Sequence, residues 1–393
     1  GVVVEPPAAD PTLRLAMPPH RPIPASDDVE RAATALRATS RIAIIAGAGA
    51  TASGAGPELL RLAELLEAPI GTSLGGRGLI PTRHRLSIGV VGNYAAPPAN
   101  RIVHSADLVL FVGCHTGDQM THTWRIPALT TPVVQIDIDP LELGRSYPNT
   151  LALMGDPKAT LGMLLMALGQ PERDRTYADR AAGIVTAWRA EMAPKLASSA
   201  TPIRVERLCA EITAALPEDG ILVADTGYSG IWTSTLIEMN GAEQTYLRAA
   251  GSLGWSFPAS LGAKCAAPHR KVVCFSGDGA LYYHLTELET ARRRGIAMVL
   301  VVNNNSGFGQ GWPNIQRMQG NKPGDVAELV RFGPTDFAAI ARSFGVRAIR
   351  VEQADRIASA LRDALAADEP VVVDVVTDIN PRAPEPWLPE ATQ

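Results

Sequence analysis

One stretch, Lys271 to Gly311 (KVVCFSGDGALYYHLTELETARRRGIAMVLVVNNNSGFGQG), limits what this chain can fold into more than any other. Val272 to Phe275 is a short apolar run rich in β-branched residues and predicts a buried strand. Gly277-Asp278-Gly279 breaks it, and a helical pattern follows with Leu281, Leu285 and Leu288 on one face. Arg292, Arg293 and Arg294 fall in the expected last turn, and Gly295 is its stop. Ala297 to Val302 is apolar throughout, as a strand covered on both faces is, and runs directly into Asn303-Asn304-Asn305. The pattern is a βαβ unit with polar groups at the carboxyl ends of both strands, where open α/β sheets place their ligands.

The residue types indicate the ligand. Asp278 offers a carboxylate and Asn305 an amide oxygen. Both are hard oxygen donors of the kind Mg²⁺ takes, and Mg²⁺ usually shares its shell with a phosphate. Gly279 permits close backbone approach, and the start of a helix presents free N–H groups to an anion. Together these predict a diphosphate site.

Gly277-Asp278-Gly279, then 24 residues (280 to 303), then Asn304-Asn305 resembles the signature of thiamine diphosphate-dependent enzymes, and the ELETA at 287–291 fits it too. The resemblance implies that Asp278, Asn305 and the backbone carbonyl of Gly307 hold the metal, with Gly277, Gly279 and Ala280 beside the diphosphate. Counting from Gly295, Asn304-Asn305 is the expected motif pair and Asn303 the end of the strand.

Length and charge set the wider frame. The 393 residues suit two domains better than one. Net charge is −4, from 36 basic and 40 acidic residues with no basic stripe, so nothing suggests nucleic acid. The apolar runs are too short to span a bilayer. Cys114, Cys209, Cys265 and Cys274 lack metal-site spacing and read as reduced thiols of a cytoplasmic protein, Cys274 within a buried strand. The chain opens on Gly1 with GVVVEPPAAD, as though following an earlier domain, and a Pro-rich linker leads to Pro24. By resemblance that opening strand closes a pyrimidine-binding domain otherwise missing from these residues.

The expected fold is α/β, with two doubly wound, mainly parallel-sheet Rossmann-like domains. Residues 1–24 form the end of a preceding domain and its linker, and 25–170 the middle domain. Residues 171–200 form a polar helical connector, 201–380 the diphosphate- and Mg-binding domain, and 381–393 a Pro-rich tail that covers the site or is disordered. In the middle domain Ser26 or Asp27 is the expected cap of a helix through Leu36. Strands are expected at 41–46, 70–74, 108–112 and 133–138, with a helix at 58–66. Gly47-Ala48-Gly49-Ala50-Thr51-Ala52 follows the first strand as a G-x-G-x-x-A turn, but the acid a dinucleotide site needs at the end of the next strand is missing. AGAGATASGA, SIGVVGNYAAPPANRIVHSADLVLFVGC and QIDIDPLELGRSYPN resemble the middle domain of acetolactate synthase-like enzymes. That resemblance implies FAD, or else ADP, near Gly47, Gly49, Thr72, Ser73, Leu74, Asp137 and Asp156, although His115 and Gln119 replace arginines that flavin-binding relatives often carry.

In the second domain a helix is expected at 203–215 and a strand at 221–224, ending at Asp225-Thr226-Gly227-Tyr228-Ser229. By resemblance Gly227, Tyr228 and Ser229 face the cofactor diphosphate. In RAAGSLGWSFPASLGAK, Gly251, Ser252 and Leu253 seat the cofactor, with Leu253 under its bend, while Trp255 or Phe257 packs in the core. Phe308, Gln310 and Trp312 stand beside the metal loop as candidate walls of the substrate pocket. A helix at 334–344, a strand at 348–351, a helix at 354–366 and a strand at 370–376 complete the sheet.

One part of the chemistry has no counterpart. In the family a glutamate of the pyrimidine-binding domain activates the cofactor; Glu5 is in the wrong place for it, and none of the seven histidines belongs to a triad with a serine elbow. The catalytic acid is therefore expected from a partner chain or an N-terminal portion. The expected reaction is decarboxylation of a 2-oxo acid followed by carboligation or protonation, in a homodimer or heterotetramer. The alternatives are lysis of a 2-hydroxyacyl-CoA and a non-catalytic nucleotide-binding subunit.

Overall fold

Short aliphatic runs become the strands of two parallel sheets in the computed structural model, which describes residues 20–320 and 324–390. The opening strand expected from Gly1 onward, with Glu5, lies outside the described residues. The first sheet contains β1 (Ile42–Ala46), β2 (Ile70–Thr72), β3 (Ser87–Val90), β4 (Leu108–Val112), β5 (Val133–Asp137) and β6 (Thr150–Met154), in the order β3-β2-β1-β4-β5-β6. The second contains β7 (Ile221–Ala224), β8 (Thr245–Arg248), β9 (Val272–Gly277), β10 (Val299–Asn304), β11 (Arg347–Val351) and β12 (Val371–Val376), in the order β11-β12-β10-β9-β7-β8. Among the described residues all ten strand pairings are parallel. Helices cover both faces of each sheet, so the chain folds into two doubly wound Rossmann-like domains, as expected.

The cores explain why the central strands read so clearly. Every residue of β1, β4, β7 and β10 is buried. In the second sheet Val301 of β10 lies between Phe275 of β9 and Val373 of β12, all three inaccessible to solvent. Burying each such side chain contributes roughly 1.5–3 kcal/mol. Cys274, in β9 as expected, is fully buried, and burial pushes its thiol up to about 12.

Several elements differ from expectation. The helix through Leu281, Leu285 and Leu288 is two helices, Asp278–Leu281 and Glu287–Arg294. Between them Tyr283, His284 and Glu287 donate to carbonyls three residues back, and the loop at Gly254 packs on Tyr283 and His284. That contact overrides the apolar spacing. The Ser26–Ala38 helix has Ala25, with no capping side chain, at its start; Ser26 and Asp27 lie inside it, and Asp27 and Asp28 instead favour the helix dipole. The second strand stops at Thr72, and Leu74–Gly76 is a tight turn. Ile203 bridges Thr377, which delays the next helix to Val205–Ala215. The connector helix, Thr176–Leu196, is not polar all round: Tyr177, Ala181, Val185 and Met192 are buried.

The C-terminal segment docks on the first domain instead of covering the site. Trp387 lies against the His104 ring at 5.3 Å, and its carbonyl accepts from Asn100 Nδ2 at 3.4 Å. Arg125 Nη2 donates to the Pro389 carbonyl at 2.8 Å.

Candidate active site

The chain order of the second sheet reverses between β7 and β9, which makes their carboxyl ends a topological switch point. A cavity of about 590 Å³ opens there. Every second-domain residue singled out from the sequence as a cofactor or metal contact lines it, apart from Ser252: Gly227, Tyr228, Ser229, Gly251, Leu253, Gly277, Asp278, Gly279, Ala280, Asn305 and Gly307. Ser252 is exposed, and its carbonyl accepts from the Trp255 N–H. Phe308 and Gln310 line the cavity and Trp312 does not. Phe257 is core, whereas Trp255 is 38 % exposed.

Asp278 begins where β9 ends. Its Oδ1 accepts from the Gly279 N–H at 2.7 Å and its Oδ2 from the Gly307 N–H at 3.2 Å. Burial pushes its carboxyl up to about 6, against the pull of the Gly279, Gly307, Ser306 and Asn305 amides. The carboxylate is thus fixed against the loop that follows β10.

The three asparagines separate by their partners. Asn303 Oδ1 accepts from the Thr377 hydroxyl at 2.6 Å. Asn304 Nδ2 donates to the Thr335 carbonyl at 2.9 Å and to Asp374 Oδ1 at 2.8 Å. β10 runs through Asn304, one residue longer than expected, so Asn305 is the first residue past the strand. Its Oδ1 is buried and has no hydrogen-bond partner. An orphaned amide oxygen beside a buried carboxylate matches the hard donor set that Mg²⁺ requires. Among the described residues no three His, Cys, Asp or Glu side chains converge on one point, so a cation here draws on amide, carbonyl and ligand oxygens as well.

Two glycines are needed at the cavity wall. Gly227 has φ +67° and turns the chain into the Tyr228–Leu236 helix, whose start carries no capping side chain. A Cβ on Gly279 would sit 2.5 Å from the Phe308 ring.

Asp225 is the residue whose role the sequence did not reveal. It is fully buried at the end of β7. Its Oδ1 accepts from the Thr226 N–H at 3.0 Å and the Gly254 N–H at 3.1 Å, and its Oδ2 from the Ser256 N–H at 3.0 Å. The carboxylate therefore ties down the loop that brings Gly251 and Leu253 to the cavity. Tyr94, from the first domain, also lines the cavity and packs on Gly230. The only hint of Asp225's role was an acid at a strand end; Tyr94 gave none.

Of the first-domain candidates, Ser73 and Leu74 line a cavity, and Gly47, Gly49, Asp137 and Asp156 make other contacts. The Gly47 N–H donates to the Val112 carbonyl and the Gly49 N–H to the Gly113 carbonyl, both at 2.9 Å. Asp137 Oδ1 accepts from its neighbour Asp139 N–H at 3.0 Å. Asp156 caps the Pro157–Leu168 helix and pairs with Arg21 at 2.7 Å. None of the four lines the cavity of about 340 Å³ at the carboxyl end of β1 and β4, which is walled by Ala48, Ser73, Leu74, His115, Gln119 and Arg248 among others. His115 is held by Glu142 at 2.9 Å.

Both domains match a known enzyme family. Residues 29–164 match the thiamine pyrophosphate enzyme central domain, and residues 225–375 the C-terminal TPP binding domain of the same enzymes. The chain is 29% identical over 365 residues to a protein named probable acetolactate synthase large subunit from Methanococcus aeolicus, covering 89% of this chain and 60% of that protein. A protein of the same name from Methanocaldococcus jannaschii is 30% identical over 372 residues, 92% of this chain and 61% of its own length. A probable 2-ketoarginine decarboxylase from Pseudomonas aeruginosa is 33% identical over 366 residues, 92% of this chain and 62% of its own. With one family model over each domain, and the sheet reversal and cavity inside the second match, the chain belongs to the thiamine diphosphate-dependent enzyme family.

Proposed function

We propose that these residues form the cofactor-holding part of an enzyme that cleaves and forms C–C bonds at a 2-oxo acid, using thiamine diphosphate and Mg²⁺. The observation that carries the reading is Asn305 Oδ1, buried and unpartnered at the cavity that also holds Asp278. Asp278, Asn305 and the Gly307 carbonyl would hold Mg²⁺, which would hold the diphosphate. The uncapped start of the Tyr228–Leu236 helix supplies N–H groups to the same anion. Gly251 and Leu253, fixed through Asp225, would seat the organic part. When bound, the cofactor serves as the electron sink for bond cleavage beside a carbonyl. Decarboxylation of a 2-oxo acid with carboligation is the favoured reaction, since relatives named for acetolactate synthesis and for decarboxylating 2-ketoarginine both match over most of this chain.

No glutamate lines the cavity among the described residues. The acid that activates the cofactor is therefore assigned to a pyrimidine-binding domain, on a partner chain or on the same polypeptide. The chain spans about 60% of the length of the relatives it matches, which leaves room for such a domain. Leu253, Trp255 and Tyr283, 37 %, 38 % and 60 % exposed, offer it an apolar landing face. We keep the domain division at 25–170, 171–200 and 201–380.

Calorimetry tests the site. Asp278→Ala should weaken Mg²⁺-dependent thiamine diphosphate binding at least about 100-fold, because losing even an outer-shell partner of a metal costs 10–100-fold. Unchanged affinity in the folded variant would sink the assignment. Adding the pyrimidine-binding domain should restore turnover of a 2-oxo acid; full turnover by residues 1–393 alone would place the activating acid here instead.

A nucleotide in the first domain is a separate reading, favoured by the cavity at the carboxyl end of β1 and β4. With the Gly47 and Gly49 amides engaged, FAD or ADP would be held by Ser73, the Ala48 backbone and Arg248 in place of those glycines and Asp137. Protein that stays colourless after added FAD, and shows no ADP binding by calorimetry, refutes it.

A further inference from the structure

A cavity of about 460 Å³ lies between the two domains and shares no lining residue with the cofactor cavity. Its walls come from β3, the Thr176–Leu196 helix and the end of the Tyr228–Leu236 helix. Ile88, Trp188, Met192 and Leu236 supply apolar wall, and the polar lining includes Arg77, Ser87, Arg189 and the paired Arg83 and Glu238. Its volume falls in the range of small-molecule sites.

Arg77 is the unusual group. It is 6 % exposed, and no acidic side chain pairs with it among the described residues. Its Nη2 donates to the Ile237 carbonyl, its guanidinium lies 5.6 Å from the centre of the Tyr246 ring, and its Nε is buried with no hydrogen-bond partner. Arg204 pairs with Glu206 at 2.6 Å and Arg350 with Asp374 at 2.7 Å, whereas the half-buried Arg173, like Arg77, bonds only backbone carbonyls. Glu238, which acts on Arg77 through space, is already bound to Arg83 at 2.5 Å. Burial pushes the Arg77 guanidinium down to about 10, so it is still charged at neutral pH. Ser87, 7 % exposed, has no side-chain hydrogen bond among the described residues. A buried cation without a counter-ion is costly, and a planar guanidinium with a free N–H edge suits a carboxylate.

We propose that this interdomain cavity binds a small organic carboxylate with an apolar body, its carboxylate on the Arg77 guanidinium and Ser87 Oγ and its body against Trp188, Met192 and Leu236. The ligand touches both domains, so its occupancy strengthens their contact. This site goes beyond the cofactor reading and does not depend on it.

The test uses residues 1–393, with benzoate and isovalerate as probes and benzamide as the neutral control, followed by saturation-transfer NMR and calorimetry. At least one acid should bind saturably, one per chain, with Kd on the order of 0.1–1 mM, ordinary for a fragment-sized ligand. Benzamide should bind at least about tenfold more weakly, as should either acid to Arg77→Met. Leu196→Trp, at a half-buried position on the cavity wall, should block binding while leaving Arg77 in place. Saturating thiamine diphosphate and Mg²⁺ should not compete. The proposal is overturned if neither acid binds up to about 10 mM, if benzamide binds equally, if folded Arg77→Met keeps wild-type affinity, or if the cofactor displaces the acid. Should Arg77→Met fail to fold by circular dichroism, Leu196→Trp decides: wild-type affinity there overturns the proposal.

Discussion

Asp225 touches no proposed ligand and yet sets the position of a loop that does. Removing its side chain leaves the Thr226, Gly254 and Ser256 N–H groups without their acceptor in a buried place. Unsatisfied buried donors cost about 1–3 kcal/mol each. Asp225→Ala should therefore lower stability by about 2–5 kcal/mol in urea unfolding and loosen the loop. Hydrogen exchange at residues 251–256 should speed up more than exchange in β1, and equal change in both would mean a general loss of stability. Asp374 does related work beneath the metal loop, where it is fully buried and joins Asn304 to Arg350. Asp374→Ala removes an acceptor from Asn304 and from Arg350, which keeps Glu352 at 2.8 Å, and should cost about 1–3 kcal/mol. At this scale the sequence was readable where chemistry restricts residue type. Asp278, Asn305 and the glycines around them were found because few residues can do what a metal loop needs. Asp225 was not, because its three hydrogen bonds go to backbone N–H groups, which every residue but proline carries. The three asparagines were ambiguous for a similar reason: only Thr377, Thr335 and Asp374, distant in sequence, decide which amide stays free.

Among the elements, the Pro157–Leu168 helix gives the sharpest prediction. Desolvation opposes charge on Asp156, but the Ala159 N–H, Arg21 and Ser53 outweigh it and hold its carboxyl below the usual carboxylate range. A folded-state value below the unfolded one means that the stabilisation is fully present above the unfolded value, ~4, and is lost as pH falls through the folded value. Asp156→Asn should cost about 1–3 kcal/mol near pH 7, and the gap to wild type should shrink at pH ~3. A constant gap across that range would show that the charge contributes nothing. Strands covered on both faces were the most legible. β4 and β7 were placed to the residue because both of their faces are covered. β3, β6 and β8, at sheet edges, went unread; β6 mixes exposed and half-buried positions and β8 is half-buried at Thr245, Leu247 and Arg248, so neither leaves an apolar run. The break at 282–286 was hidden by three leucines at helical spacing, since the loop that enforces it arrives from nearly thirty residues upstream.

At the scale of the whole molecule, the two sheets are joined by the Thr176–Leu196 helix and again by the C-terminal segment. That segment passes Tyr228, where the Ala383 backbone meets the phenol, and then reaches His104, Asn100 and Arg125. Trp387→Ala should lower the thermal midpoint by about 2–4 °C, the shift expected for ~1 kcal/mol in a chain of this size, and should uncover the Pro97–His104 helix to hydrogen exchange. An unchanged exchange pattern there would show that the docking contributes nothing in solution.

The docked segment also closes the polypeptide into a mechanical loop. Force applied between Ala25 and Pro389 would not load the connector helix first, because Arg125 and Asn100 return the far end of the chain to the domain where it started. The two domains would stay together until that terminal seam sheared, and only then would the connector take up the load. In a single-molecule trap this gives a short, early rip for the seam, followed by larger unfolding events. Trp387→Ala should erase the first rip and leave the later ones at their usual extensions.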